Sequence, residues 1–228
     1  MSHRMILTFY SVGHGNRTIE ELLGLLTTAG VNTLVDVRAQ PRSRHNPQFN
    51  DDALRLACDN TGITYHWAGR QLGGLRAPHA GSPHIALDED RRGFADHMDT
   101  DAFQKGAAQL QNLAAGSRGE ALSETAAVAS METPHNLDTA PNAESASPQA
   151  RGASRVREPR VCMLCAERDP VRCHRSLIAD YLVLQGMRVL HLIDPGETRE
   201  HLFSSEARRE SAALIYDRQA TRPLGLER

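Results

Sequence analysis

Thiol, carboxylate, imidazole and guanidinium groups crowd into one short stretch of this sequence: Cys165, Glu167, Cys173, His174 and Arg175 all fall within residues 160–179. Three chemistries fit such a set. A cysteine at a helix start among basic groups is held as a thiolate, because exposed N–H dipoles and guanidinium charge favour the anion, and a thiolate is a nucleophile. Cys173, flanked by Arg172, His174 and Arg175, meets that description. Its bland counterpart is a buried structural thiol with His174 bonded to a backbone carbonyl. Cys162 and Cys165 also form C-x-x-C with Cys173 and His174 close behind, four ligands of the kind zinc takes. Side chains alternate along a strand, so Cys162 and Cys165 are expected on opposite faces, which counts against zinc. The expectation is therefore no cofactor, with zinc as the alternative.

Anion binding is the third chemistry. His14, Arg17, Arg38, Arg44, Arg70 and Arg175 supply donors suited to phosphate or carboxylate, most of them the forked donors of guanidinium. Asp36 and Glu167 are expected either to neutralise these arginines or to work as acid and base.

The elements that must bring these residues together follow from hydrophobic period and turn residues. An apolar run over 5–12 stops at Gly13-His14-Gly15, and Thr18 with Glu21 three residues on marks a capped helix that ends at Gly30. Further strands are expected over 31–37, 63–67, 160–166 and 187–193, with helices over 52–60, 94–98, 102–113 and 176–184. Strands alternating with helices point to a mostly parallel sheet. His14, Asp36, Arg38, Arg70, Gly73, Gly74, Cys165 and Glu167 then fall at strand C-terminal ends, the edge where open parallel sheets bind ligands. Residues 77–93 carry no periodic signal, and 201–215 shows a weak helical spacing.

Composition narrows the class. Hydrophobic residues make up 40% and charged residues 24%, a globular average, and a net charge of -2 supplies no global field for nucleic acid. From 116 to 158 the chain turns to Ala, Ser, Glu, Thr and Pro with hardly a large apolar side chain, and is expected to be a disordered low-complexity insertion. The first residues lack a signal-peptide core and no run is long enough to span a bilayer, so a cytoplasmic protein with reduced thiols is expected.

The runs Ser11-Val-Gly-His-Gly-Asn-Arg, Leu34-Val-Asp-Val-Arg-Ala-Gln-Pro-Arg-Ser-Arg, Leu72-Gly-Gly, Leu164-Cys-Ala-Glu and Cys173-His-Arg, in this order, resemble the DUF488 family, bacterial proteins of undetermined function. The resemblance covers roughly 5–114 and 158–193. It implies an α/β fold and no established reaction. Its motif positions add Pro41 and Ser43 to the residues above; Gly15 stands where the family usually has Ser, and the 116–158 connection is longer than usual.

The expected architecture is a single α/β domain, a mostly parallel sheet flanked by helices in a Rossmann-like layering, built from 1–115 and 159–195, with a helical or irregular tail over 196–228. The expected site has Cys173, His174, Glu167 and Asp36 as catalytic groups, the cations above as anion ligands, and Cys165, Ser43, Gly73 and Gly74 completing the pocket. Two further readings stay open: a non-catalytic nucleotide or nucleic-acid binding module, and a zinc-stabilised structural protein. Residue types alone leave the oligomeric state and the choice between enzyme and binding module undecided.

Overall fold

The computed structural model describes residues 6–116, 158–210 and 213–218. Most of the 116–158 segment, read above as a disordered insertion, lies outside the described residues.

Five parallel strands and one antiparallel edge strand form the main sheet. In chain order they are β1 (Thr8–Gly13), β2 (Thr33–Asp36), β3 (Thr64–Trp67), β4 (Val161–Cys165), β5 (Arg188–Asp194) and β6 (Glu197–Glu200), arranged β3-β2-β4-β1-β5-β6. Only the β5–β6 pair runs antiparallel. The helices are α1 (Ile19–Thr28), α2 (Asp51–Asp59), the one-turn α3 (Gly69–Leu72), α4 (Glu89–His97), α5 (Asp101–Ala114) and α6 (Arg175–Leu184). The Thr18–Glu21 capping box forms as expected: the Thr18 hydroxyl accepts from the Glu21 N–H and the Glu21 carboxylate from the Thr18 N–H.

The sheet is covered on both faces, as near-continuous apolar strands require. Val12, Leu34, Cys162 and Leu164 pack with α1 and α2 through Leu22, Leu26 and Leu54, and with Phe49 of the turn before α2. On the opposite face Phe9, Val35, Met163 and Val189 pack with α4, α5 and α6 through Phe94, Phe103, Leu110 and Ile178. The strand period of two decides the split within β4, which sends Cys162 to the first layer and Cys165 to the second.

This wiring makes a crevice. β4 leads into α6 on one face, whereas its two sheet neighbours β1 and β2 lead into α1 and α2 on the other. Connections that diverge to opposite faces leave a gap beyond the strand ends, the ordinary binding position of open α/β sheets.

The C-terminal region differs from the helical spacing read over 201–215. It forms a separate antiparallel pair, β7 (Ala207–Glu210) with β8 (Ala213–Tyr216). Leu214 and Tyr216 are buried and their neighbours are not, a period of two that was masked by the charged Arg208, Arg209 and Glu210. The hairpin joins the α6 layer, where Ala207, Leu214 and Tyr216 enter its core. The silent 77–93 stretch contains the start of α4, capped by the Asp88 carboxylate accepting from the Arg91 N–H. No helix among the described residues is long and apolar enough to cross a membrane.

Candidate functional site

Beyond the ends of β1, β2 and β4 lies a cavity of about 910 Å³. Its floor begins with a buried polar unit at the end of β2. Asp36 is fully buried, and its carboxylate accepts from the Arg38 N–H at 3.0 Å, from Arg38 Nε at 2.9 Å and from the Tyr65 hydroxyl at 2.8 Å. Arg38 spans from that carboxylate to the Phe49 carbonyl at 2.8 Å and to His14 Nε2 at 3.3 Å. A guanidinium only donates, so His14 Nε2 accepts and its proton lies on Nδ1, which donates to the Gly15 carbonyl at 2.9 Å. Burial, with Arg38 adding to it, pushes the His14 imidazole down to about 4, so the ring is neutral at physiological pH. Stacking on Phe49 at 4.3 Å fixes its plane.

Close approach of β1 and the β4 loop depends on Gly13. A Cβ there would lie 1.9 Å from the Glu167 carbonyl oxygen. Its absence lets the ladder continue past the strands, His14 N–H to the Cys165 carbonyl and Gly15 N–H to the Ala166 carbonyl, both at 2.9 Å. His14 is thereby carried to the cavity beside Cys165.

The second half of the floor is a sulfur–imidazole cluster. His174 Nε2 lies 3.0 Å from the Val37 carbonyl and 3.1 Å from the Leu72 carbonyl, so that nitrogen carries the proton. Nδ1 is left facing two sulfurs, Cys165 Sγ at 3.8 Å and Cys173 Sγ at 3.7 Å. Phe94 packs edge-on at 4.8 Å. Gly74 forms the other wall, where a Cβ would lie 2.9 Å from His174 Nδ1. The Leu72-Gly-Gly motif thus has a steric reason: the second glycine makes room for the imidazole and Leu72 supplies a carbonyl to it.

The two thiols are driven apart electrostatically. Burial pushes the Cys173 thiol up, but the Cys165 S–H, the Arg175 charge and the Arg175 backbone N–H outweigh it and bring the group down to about 7. Cys165 moves the other way, raised by its role as donor to Cys173 and by burial. Arg175 works from behind the cavity. It is 1% exposed, and its guanidinium donates to the Glu167 carbonyl and, at 2.8 Å, to the Arg168 carbonyl, pinning the loop that carries Cys173.

The lining carries both signs of charge, and several of its arginines are paired. Arg38, Arg42, Arg91, Arg168 and Arg172 line the cavity against Asp88, Asp90 and Glu167. Arg91 pairs with Asp88 at 2.7 Å and Arg168 with Asp194 at 2.5 Å, while Arg42 is 79% exposed and Arg172 projects to solvent.

Of the residues expected from sequence, His14, Arg38, Ser43, Gly74, Cys165, Glu167, Cys173 and His174 line the cavity. The others stand elsewhere. Asp36 lies beneath it with its carboxylate bonded to Arg38 and Tyr65, so it does not face Glu167 as an acid–base partner. Arg17 is buried and donates to the Gly13 and Ile193 carbonyls beside Asp194. Arg70 lies over the Trp67 ring at 5.9 Å, and Arg44 is exposed away from the lining. Gly73 ends α3, where a Cβ would meet the Gly69 carbonyl at 2.2 Å. The four-ligand zinc set does not assemble: donor atoms of Cys165, Cys173 and His174 lie within 4.8 Å of one another, but Cys162 belongs to the opposite layer.

Asn16, Asn46, Asp88, Asp90, Arg91 and Arg168 line the cavity without having been singled out. Asp88 was accessible to sequence reasoning, since an N-cap Asp followed by acidic first-turn residues marks a helix start in the middle of the silent stretch.

The family model described as domain of unknown function DUF488 matches residues 18–127 and 136–182. Comparisons with curated proteins and with solved structures return no match.

Proposed function

The chain belongs to the DUF488 family, and from that premise we propose that the strand-end cavity takes an anionic, phosphate-containing or nucleotide-like ligand and presents it to the Cys173 thiolate, which attacks as a nucleophile. One observation carries the reading: Cys173, with a thiol brought down to about 7, lines a cavity that also presents the exposed guanidinium groups of Arg42 and Arg172. Exposed Arg42 and Arg172 are the first contacts for an incoming anion, and forked donors suit phosphate oxygens. The thiol proton leaves to His174 Nδ1, which bears none of its own while Nε2–H is held by two carbonyls. Attack at phosphorus forms an S–P bond and breaks the bond to the leaving group, which takes the proton from Nδ1; water, giving a proton to the same nitrogen, then cleaves the S–P bond, and that proton returns to the Cys173 sulfur. Asp36 is a positioning residue, acting through Arg38 on His14.

Protection of the thiol tests this. Reduced protein is treated with iodoacetamide in the presence of inorganic phosphate, pyrophosphate, a mononucleotide or a short single-stranded oligonucleotide, and Cys173 labelling is followed by mass spectrometry. At least one small anion is expected to slow labelling and to raise the thermal midpoint, with both effects weakened by salt and by Arg42→Ala with Arg172→Ala. Protection by the oligonucleotide alone would favour a nucleic-acid binding module. Labelling that no anion slows would remove the anion from the proposal.

A further inference from the structure

Four thiols divide into two pairs with opposite prospects. Cys58 and Cys162 are fully buried in the α1–α2 layer, and burial pushes both thiols up, Cys58 to about 12. Cys165 and Cys173 both line the strand-end cavity, and both sulfurs face the same atom, His174 Nδ1, at 3.8 and 3.7 Å. That nitrogen has one lone pair and accepts from one sulfur at a time, and the Cys165 S–H donates to Cys173 instead. The sulfurs lie within 4.8 Å of each other, and all four cysteines are free thiols.

From this geometry we infer that Cys165 and Cys173 form a reversible dithiol–disulfide couple, oxidised by a hydroperoxide that enters the cavity and restored by a dithiol reductant. The inference rests on the Cys173 thiolate of the preceding reading but not on the anion proposed there. Roles follow from position. Cys165 closes β4, paired in register with Gly13 of β1, whereas Cys173 lies between a short 3-10 turn (Pro170–Arg172) and α6 and is paired to no strand. With the Cys173 backbone bonded to Pro170 and Ser176 and its loop pinned by Arg175, closing the gap to a disulfide falls to the two side chains. The lowered pKa of Cys173 makes it the attacking sulfur, and the raised Cys165 thiol keeps its proton until it is needed for resolution.

The Cys173 thiolate attacks one peroxide oxygen of ROOH; an S–O bond forms, the O–O bond breaks, and RO⁻ leaves and takes a proton to become ROH. Cys173 is then a sulfenic acid. Cys165 gives its proton to His174 Nδ1 and attacks the Cys173 sulfur; the S–S bond forms, the S–O bond breaks, and the departing hydroxide takes that proton back as water. In sum two thiols and ROOH give one disulfide, ROH and water. Oxidation removes the nucleophile, so the same couple would switch the cavity off under peroxide and on again under reductant.

The test uses the full, reduced chain and hydrogen peroxide as probe. Loss of two of the four thiols is expected, with an intact mass lower by two hydrogens, a peptide map linking Cys165 to Cys173, and full recovery in dithiothreitol. In Cys165→Ser the same treatment should leave Cys173 as a sulfenic acid that dimedone traps, and in Cys173→Ser no thiol should be lost. Should either variant fail to fold, the wild-type peptide map decides alone. Retention of all four thiols, or irreversible oxidation of Cys173 with Cys165 still free, would overturn the couple. Iodoacetamide labelling of the same preparation separates the two readings: a reactive Cys173 that forms no bridge sinks the couple only, whereas a Cys173 inert to both reagents sinks the nucleophile as well.

Discussion

Two buried polar clusters lie on the α6 side of the sheet and end differently, one on a buried carboxylate and one at a cavity. In the first, Ser11, His191, His201 and Asp180 form a chain with contacts of 3.1, 3.0 and 2.9 Å. Asp180 can only accept, so His201 Nε2 donates to it, His201 Nδ1 accepts from His191 Nε2, and His191 Nδ1 accepts from the Ser11 hydroxyl. Tyr216 and the Ser204 N–H complete Asp180 at 3.1 and 2.8 Å. Every donor has one acceptor. In the second cluster two thiols share one imidazole nitrogen. The closed chain is what a fold needs to fasten its C-terminal hairpin to α6. The open cluster has no carboxylate at its end, and its three groups line the cavity. Buried polar groups are common to both; the first ends on a buried carboxylate and the second on a cavity.

Disrupting the supports of each cluster sharpens that contrast, and the largest effect belongs to the cavity floor. Asp36→Ala strands a 5%-exposed Arg38 and the Tyr65 hydroxyl, and is expected to cost about 3–5 kcal/mol in guanidinium unfolding. The closed chain is next: Asp180→Ala removes the acceptor of His201, Tyr216 and Ser204, an expected loss of about 3 kcal/mol. It should leave the labelling rate of Cys173 unchanged, and a changed rate would join the two clusters into one.

Acid should act on the closed chain and on the His14 half of the cavity floor. Burial holds His14 down to about 4 and His191 to about 3, with the neighbouring His201 adding to the latter. The unfolded chain therefore takes up protons first as pH falls below the ordinary imidazole value near 6.5, so stability is fully present above that value and is lost toward pH 4. Urea midpoints measured across this window should fall, and His191→Asn should flatten the slope without abolishing it. The smallest expected change in stability is that of Cys165→Ala, within about 1–2 kcal/mol, since it removes a small side chain without stranding a charge. Its signature is kinetic: with the S–H donor gone the Cys173 thiol rises, and labelling at pH 6 slows roughly tenfold.

Much of this arrangement is legible in the residues, and the exceptions share a cause. Period and punctuation place β1 to β5, the Thr18–Glu21 cap and the C-terminal strand ends that carry His14, Arg38 and Cys165. The opposite facing of Cys162 and Cys165 follows from strand alternation alone. What residue type does not disclose is the partner a long side chain chooses. Arg17 and Arg175 belong by type to an anion pocket, yet both reach main-chain carbonyls of the loops around it. Asp36 is likewise consumed by Arg38 and Tyr65, a partner that arrives from the neighbouring strand β3. The hairpin of β7 and β8 escaped because its strands are short and half charged, so two buried positions in β8 were too few to fix a period.

The central claim is that Cys173 is an activated thiol and that the other three cysteines are not. The rate of iodoacetamide labelling at each cysteine, followed by peptide mass spectrometry from pH 5 to pH 10 in the reduced native chain, tests it directly. The expected result is labelling confined to Cys173 with a rate midpoint of about 7. A midpoint near 9, where an ordinary thiol titrates, or labelling of Cys173 only after denaturation, would contradict it.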